Sequence, residues 1–270
     1  MSWLRPLGNT GLNVSAIGLG TVKLGRNREV KYPGNFALPD DRSAAALLAQ
    51  ARELGINLID TAPAYGSSEE RLGKLLAGQR QHWLICSKVG EEFQQGKSHF
   101  DFSPQHIRNS VQRSLRRLNT DVIDILLIHS DGSDLQIIEH TDSLEELAQL
   151  KNEGLIRSYG MSTKTVEGGL AAAHRCDVVM LTYNPVQREE LPVLECCKKM
   201  HCGALVKKPL ASGHLVTNNS NAADPVQSSM DLVLGHPGTT AAIVGTITPA
   251  HLFANVEAAR RAISPPGESC

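Results

Sequence analysis

Four side chains of this 270-residue chain could share one piece of chemistry: a carboxylate, a phenol, an ammonium and an imidazole. Asp60 and Tyr65 stand in Asp60-Thr61-Ala62-Pro63-Ala64-Tyr65-Gly66, just past the apolar Leu58-Ile59. Lys88 closes Trp83-Leu84-Ile85-Cys86-Ser87-Lys88, and His129 closes Ile125-Leu126-Leu127-Ile128-His129. Taken singly, each has a bland reading. An aspartate at a strand end is usually a cap or turn former, and a lone lysine, tyrosine or histidine is usually a surface or satisfied polar group. Their arrival at successive strand ends points to one site. A free phenol has a pKa of about 10 and is a poor acid at neutral pH. An adjacent ammonium favours the phenolate and is expected to lower that value, while a carboxylate holds the ammonium's charge and position. Such a phenol could protonate a carbonyl oxygen, oriented by the imidazole, while hydride reaches the carbon. No side chain can supply hydride, so a nicotinamide cofactor is implied.

The elements that must position these groups alternate. Leu4 to Leu7 and Leu12 to Ala16, joined by Gly8-Asn9-Thr10-Gly11, read as a short hairpin. Eight further strands are expected: around Ile17, then Asn57–Ile59, Trp83–Ser87, Val122–Ile128, Ile156–Tyr159, Val178–Thr182, Gly203–Val206 and Ala241–Val244. Helices are expected between them, over about Arg42–Leu54, Ser68–Leu76, Pro104–Leu118, Ile138–Asn152, Val166–His174, Glu189–Met200, Val226–Gly235 and Pro249–Arg261. The strands are continuous apolar runs, as a parallel sheet covered by helices requires. Eight strand-helix units predict a closed (β/α)8 TIM barrel, with the hairpin ahead of it. A doubly wound sheet would want G-x-G-x-x-G after its first strand, and Gly18-Leu19-Gly20-Thr21-Val22-Lys23 has only the first two glycines. One domain over residues 1–270 is expected. Lys23 to Asp41, with Pro33, and Pro209 to Ala223, with Asn218-Asn219-Ser220-Asn221, are long connections that should emerge at the carboxyl end of the barrel.

A formal charge of -1 gives no electrostatic reason to expect nucleic acid or an anionic membrane as partner. No apolar run approaches the roughly 20 residues of a membrane span, and the first residues lack a signal peptide's apolar core. A cytoplasmic protein, monomeric or a small homo-oligomer, is expected. Six cysteines (86, 176, 196, 197, 202 and 270) fit a reducing compartment. The cluster Cys196-Cys197-Lys198-Lys199-Met200-His201-Cys202 lacks the spacing of zinc ligands, so no metal site is expected.

The motifs together resemble the aldo-keto reductases over nearly the whole chain. The likeness is carried by Leu7-Gly8-Asn9-Thr10-Gly11-Leu12-Asn13-Val14-Ser15, Gly18-Leu19-Gly20-Thr21, the stretch from Asn57 to Gly66, and Ser87-Lys88-Val89-Gly90. It continues through Ser114-Leu115-Arg116-Arg117-Leu118, Asp124 to His129, Gly154 to Ser162, Tyr183-Asn184, His236-Pro237-Gly238-Thr239-Thr240 and Asn255. The resemblance implies that Asp60, Tyr65, Lys88 and His129 form a catalytic tetrad with Tyr65 as general acid, acting on a small-molecule carbonyl substrate. It further implies an NADP(H) held across the barrel mouth. Gly20, Thr21, Asp60, Ser162 and Thr163 would lie near the nicotinamide. Pro209, Leu210, Ser212 and Gly213 would lie over the pyrophosphate, where backbone N–H groups bind anions. Gly245, Thr246 and Asn255 would lie at the adenosine end.

The chain departs from the pattern in five places. Thr163 stands where many members have Asn, Met180 where a Gln is common, Lys207 where an aromatic stacks on nicotinamide, and Ala254 where an acid is usual. Ile247 stands where a basic residue often binds the 2′-phosphate, and an apolar side chain offers a phosphate nothing. Lys207 or Lys208 could restore positive charge, at the pyrophosphate. The expectation is NADP(H) ahead of NAD(H), with reduced discrimination between them. Two other functions use the same residues: a non-catalytic, nucleotide-sensing regulatory subunit, and Schiff-base chemistry at Lys88.

Overall fold

The computed structural model describes residues 2–30, 32, 34–217 and 224–264; Pro33, Asn218 to Asn221 and Cys270, named above, lie outside them. Among the described residues there are twelve strands: β1 Leu4–Pro6, β2 Asn13–Ser15, β3 Ile17–Gly20, β4 Leu58–Asp60, β5 Leu84–Val89, β6 Glu91–Gln94, β7 Lys97–Phe100, β8 Ile123–His129, β9 Ile156–Ser162, β10 Val178–Thr182, β11 Gly203–Lys207 and β12 Ala241–Val244. Eight of them close a parallel barrel in the order β3-β4-β5-β8-β9-β10-β11-β12. The fold is the expected (β/α)8 TIM barrel.

Strand residues point alternately into the barrel and out toward the helices, and both sides are apolar, which explains the unbroken hydrophobic runs. Leu58, Cys86, Ile125, Leu127, Val178, Met180, Leu205 and Ile243 fill the interior. The antiparallel β1-β2 hairpin closes the amino end of the barrel, with Leu7, Leu12 and Val14 packed on that interior cluster. Outward-facing residues such as Ile59, Ile85, Leu126, Ile128, Val179 and Val206 meet the helices in a second, larger core. With the hairpin covering its amino end, the barrel has its mouth at the strand carboxyl ends, where Asp60 and His129 stand as the last residues of their strands.

Two elements differ from the sequence expectation. The helix expected over Ile138–Asn152 is two helices, Asp134–His140 and Ser143–Asn152. Thr141 breaks it: its backbone is extended and its Oγ1 lies 2.7 Å from Ile137 O and 2.8 Å from Ser143 Oγ, within hydrogen-bond reach of both. Short hydroxyl side chains compete in this way for bonds that would otherwise continue a helix. The stretch Glu91 to Phe102, where no strand is expected, contains the β6-β7 hairpin, turned through Gln95 and Gly96 with φ of 52° and 81°. Its polar composition hides the alternation that marks a strand. No helix among the described residues is long and apolar enough to cross a membrane.

Candidate active site

β4, β5 and β8 lie side by side, so the last residues of the second, third and fourth barrel strands face one mouth. Lys88 is 1% exposed, and its Nζ donates to Asp60 Oδ1 at 2.5 Å and to Thr61 O at 2.9 Å. Asp60 is itself held from behind, because Thr21 donates from both N and Oγ1 to Asp60 O at 2.9 Å. The Thr21 hydroxyl also meets Ser68 Oγ at 2.8 Å, and Thr61 Oγ1 donates to that same serine at 3.0 Å. The Asp60-Thr61-Ala62-Pro63 segment therefore leaves the strand along a fixed path. A single 3₁₀ turn, Pro63–Tyr65, swings the phenol back over the mouth. Gly66 ends that turn at φ 63° and ψ −122°, a conformation open essentially to glycine. A Cβ there would lie 2.2 Å from Gly25 O.

The phenol, ammonium and imidazole converge. Lys88 Nζ is 4.9 Å from the centre of the Tyr65 ring, and the Tyr65 and His129 rings meet edge to face at 6.2 Å. Burial pushes the Tyr65 hydroxyl above its usual range; Lys88 opposes that shift and Asp60 adds to it. The lowered phenol expected from the sequence is thus reversed, because desolvation outweighs the neighbouring cation. Burial would strip the proton from Lys88, but Asp60 and then Tyr65 hold it on, and the net shift is upward. His129 is pulled down by burial and partly held up by Glu91, whose Oε2 lies 2.8 Å from His129 Nδ1.

These four side chains line one end of a cavity of about 1140 Å³. Gly20, Thr21, Ser162, Lys207, Pro209, Leu210, Ser212, Gly213, Gly245, Thr246 and Asn255 line the same cavity. Of the residues expected around a cofactor, only Thr163 stays outside the lining, with its N–H on Met180 O at 3.0 Å. Lys207 is set at the tetrad end and not at the Pro209–Gly213 turn. From the end of β11 its ammonium crosses β10 and donates to Ser162 Oγ at 3.0 Å and Thr163 O at 2.6 Å. Burial brings its proton affinity down to about 7, against the pull of Glu190.

The cavity suits an extended nucleotide. Glycine at 20 and 245 leaves a cradle, since a Cβ at 245 would sit 2.7 Å from Tyr32 Oη and one at 20 would sit 3.2 Å from Ile243 Cγ2. Ala211, Ser212 and Gly213 all have positive φ, a backbone state rare for side-chain-bearing residues and concentrated at binding sites. Asn184 pins this stretch by donating to Lys208 O at 3.0 Å.

The lining residues that sequence reasoning missed include Glu91, Lys23, Tyr32 and Glu190. Glu91 arrives on the undetected hairpin. Lys23 and Tyr32 come from the long connection after β3, with Lys23 Nζ 3.9 Å over the Tyr32 ring. Glu190 sits just before a helix and accepts from Thr182 N at 3.1 Å. The unusual length of the connection after β3 hinted at Lys23 and Tyr32. Among the described residues no cluster of three or more His, Cys, Asp or Glu could hold a metal ion.

Comparison with known proteins agrees with this geometry. The structure of PA4992 from Pseudomonas aeruginosa superposes with a TM-score of 0.88 at 56% identity, covering 97% of this chain and 95% of that one. The uncharacterized oxidoreductase YqkF of Bacillus subtilis is 29% identical over 94% of this chain and 90% of its own length. L-Galactose dehydrogenase of Arabidopsis thaliana is 34% identical over 78% of this chain and 66% of its own length. Residues 16–233 match the model of the aldo/keto reductase family, a family of nicotinamide-dependent oxidoreductases acting on small molecules, and the chain belongs to that family.

Proposed function

We propose that this protein is an NAD(P)H-dependent reductase of aldehyde or ketone carbonyls, with Tyr65 as the general acid. The observation that carries the reading is the convergence of Lys88, Tyr65 and His129 on one mouth, with Lys88 locked on buried Asp60 at 2.5 Å. A reduced nicotinamide, when bound, supplies the hydride that reaches the carbonyl carbon. The residues of this chain handle the proton. His129 and Tyr65 receive the carbonyl oxygen between them. Tyr65, kept protonated by burial, gives its proton to that oxygen as negative charge develops on it. The phenolate left behind faces the Lys88 ammonium, whose charge is secured by Asp60. The product is the alcohol, and Tyr65 regains its proton from solvent.

The cofactor residues would be Gly20, Thr21, Ser162, Lys207, the Pro209–Gly213 turn, Gly245, Thr246 and Asn255, all on the cavity wall. NADP(H) is placed ahead of NAD(H), with weak discrimination because Ile247 offers no charge to a 2′-phosphate. A kcat/KM preference above roughly a thousandfold, about 4 kcal/mol, would overturn that weak discrimination. A Schiff base at Lys88 is disfavoured by its secured proton. The test is a screen of purified protein with NADPH or NADH and a panel of aldehydes, ketones and sugars, read by loss of reduced-cofactor absorbance. Turnover of at least one class supports the reductase. Stoichiometric cofactor binding with no turnover on any would favour a regulatory subunit.

A further inference from the structure

One cation in the cavity is left without a task by the proton chemistry above. Lys207 ends β11 and reaches over β10 to Ser162, the register partner of His129 on the neighbouring strand. In its charged form, which Glu190 favours, Lys207 has three protons and spends two, on Ser162 Oγ and Thr163 O. Among the described residues no acceptor takes the third. Ser162, having accepted from Lys207, keeps its own hydroxyl proton, and no described residue takes that either. Two donors therefore stand together on the wall one strand beyond His129, and both residues line the cavity. Glu190 also lines the cavity and favours the charged form of Lys207, yet no ion pair within 4 Å joins them among the described residues. The donors are thus available to a ligand oxygen.

Which oxygen follows from the chemistry of the reading above, on which this inference rests. The ring carbon that delivers hydride must face the carbonyl held by Tyr65 and His129. The carboxamide is bonded to the adjacent ring carbon, and would lie beside the tetrad, within reach of Lys207 and Ser162. Its carbonyl oxygen carries two lone pairs, which match two convergent donors. We propose that Lys207, with Ser162, holds the carboxamide oxygen of the nicotinamide and so fixes the ring's orientation against Tyr65. A hydrogen bond to a charged donor is worth roughly tenfold to a hundredfold in affinity.

Calorimetric titration of wild type and Lys207→Met tests this, using NADPH, NADH and their thionicotinamide analogues, in which sulfur replaces the carboxamide oxygen. Wild type should bind the oxygen forms about tenfold more tightly than the thio forms, sulfur being the weaker acceptor. Lys207→Met should weaken the oxygen forms by about tenfold or more and bring the two within about twofold of each other. Lys207→Arg should retain most of the preference. Should the methionine variant fail to fold, Ser162→Ala reads the same loss of preference. Variants that bind within about threefold of wild type, or that keep the oxygen preference, would overturn the role of Lys207 while leaving the reductase reading intact. A wild type that binds no reduced nicotinamide at all would remove both.

Discussion

Replacing Asp60 by Asn should expose how much the buried ion pair costs to break. Lys88 and Asp60 are 1% and 5% exposed at the side chain, and their contact is 2.5 Å. Removing one partner of such a pair leaves an uncompensated charge, a loss of about 3–5 kcal/mol in other buried pairs. Here Thr61 O keeps one bond to the ammonium, so the lower end, about 3 kcal/mol, is expected. For a chain of this size that is roughly a 6–12 °C drop in Tm. The sign with pH is also fixed. In wild type the Lys88 proton affinity is raised, so the pair's contribution is complete below pH 10.5 and fades only above it. In Asp60→Asn burial has no opponent of that size, and the folded-state affinity falls below the unfolded value. The variant should therefore recover stability as pH is raised from 7 toward 10, while wild type gains nothing from this group. Denaturant unfolding at several pH values measures both. A loss below about 1 kcal/mol that does not change with pH would refute the claim that this pair is charged and buried.

Glu91→Gln should act on His129 from outside the tetrad. Without the carboxylate, His129 loses the group that holds its proton affinity up, so the limb of the pH–rate profile that it governs should move to lower pH. An unmoved profile would separate Glu91 from the imidazole. Glu91 itself is held down to about 2, burial being outweighed by His129, Ser98 and Arg26. Its contribution, up to about 3 kcal/mol, should be present in wild type above pH 4.5 and lost on acidification toward pH 2, and the Gln variant should lack that window when unfolding is followed across it. Gly245→Val should fill the cradle facing Tyr32 and weaken cofactor binding by at least about tenfold in calorimetry, while Tm changes little. Binding unchanged in that variant would move the cofactor off this wall.

The barrel was legible because eight apolar runs alternate with helices, and both periodicities survive in the sequence. The convergence of Asp60, Lys88 and His129 on one mouth was legible for the same reason: strand ends in a barrel are neighbours. What resisted was set by tertiary surroundings. The direction of the Tyr65 shift depends on how much water the folded mouth excludes, which no spacing reports. Glu91 reaches His129 only through a polar hairpin without alternation. Thr141 ends a helix through side-chain bonds that compete with a periodic pattern reading straight across it. Lys207 was placed with the pyrophosphate from its neighbourhood in sequence, whereas the reach of its side chain across β10 takes it to Ser162.

The proton donor is the centre of the account, and Tyr65→Phe interrogates it with the loss of one oxygen. Single-turnover carbonyl reduction should slow by about 10²–10⁴-fold, the usual worth of a positioned acid, while NADPH binds as it does to wild type. Reduction at near wild-type speed in that variant would contradict the assignment of the proton to Tyr65.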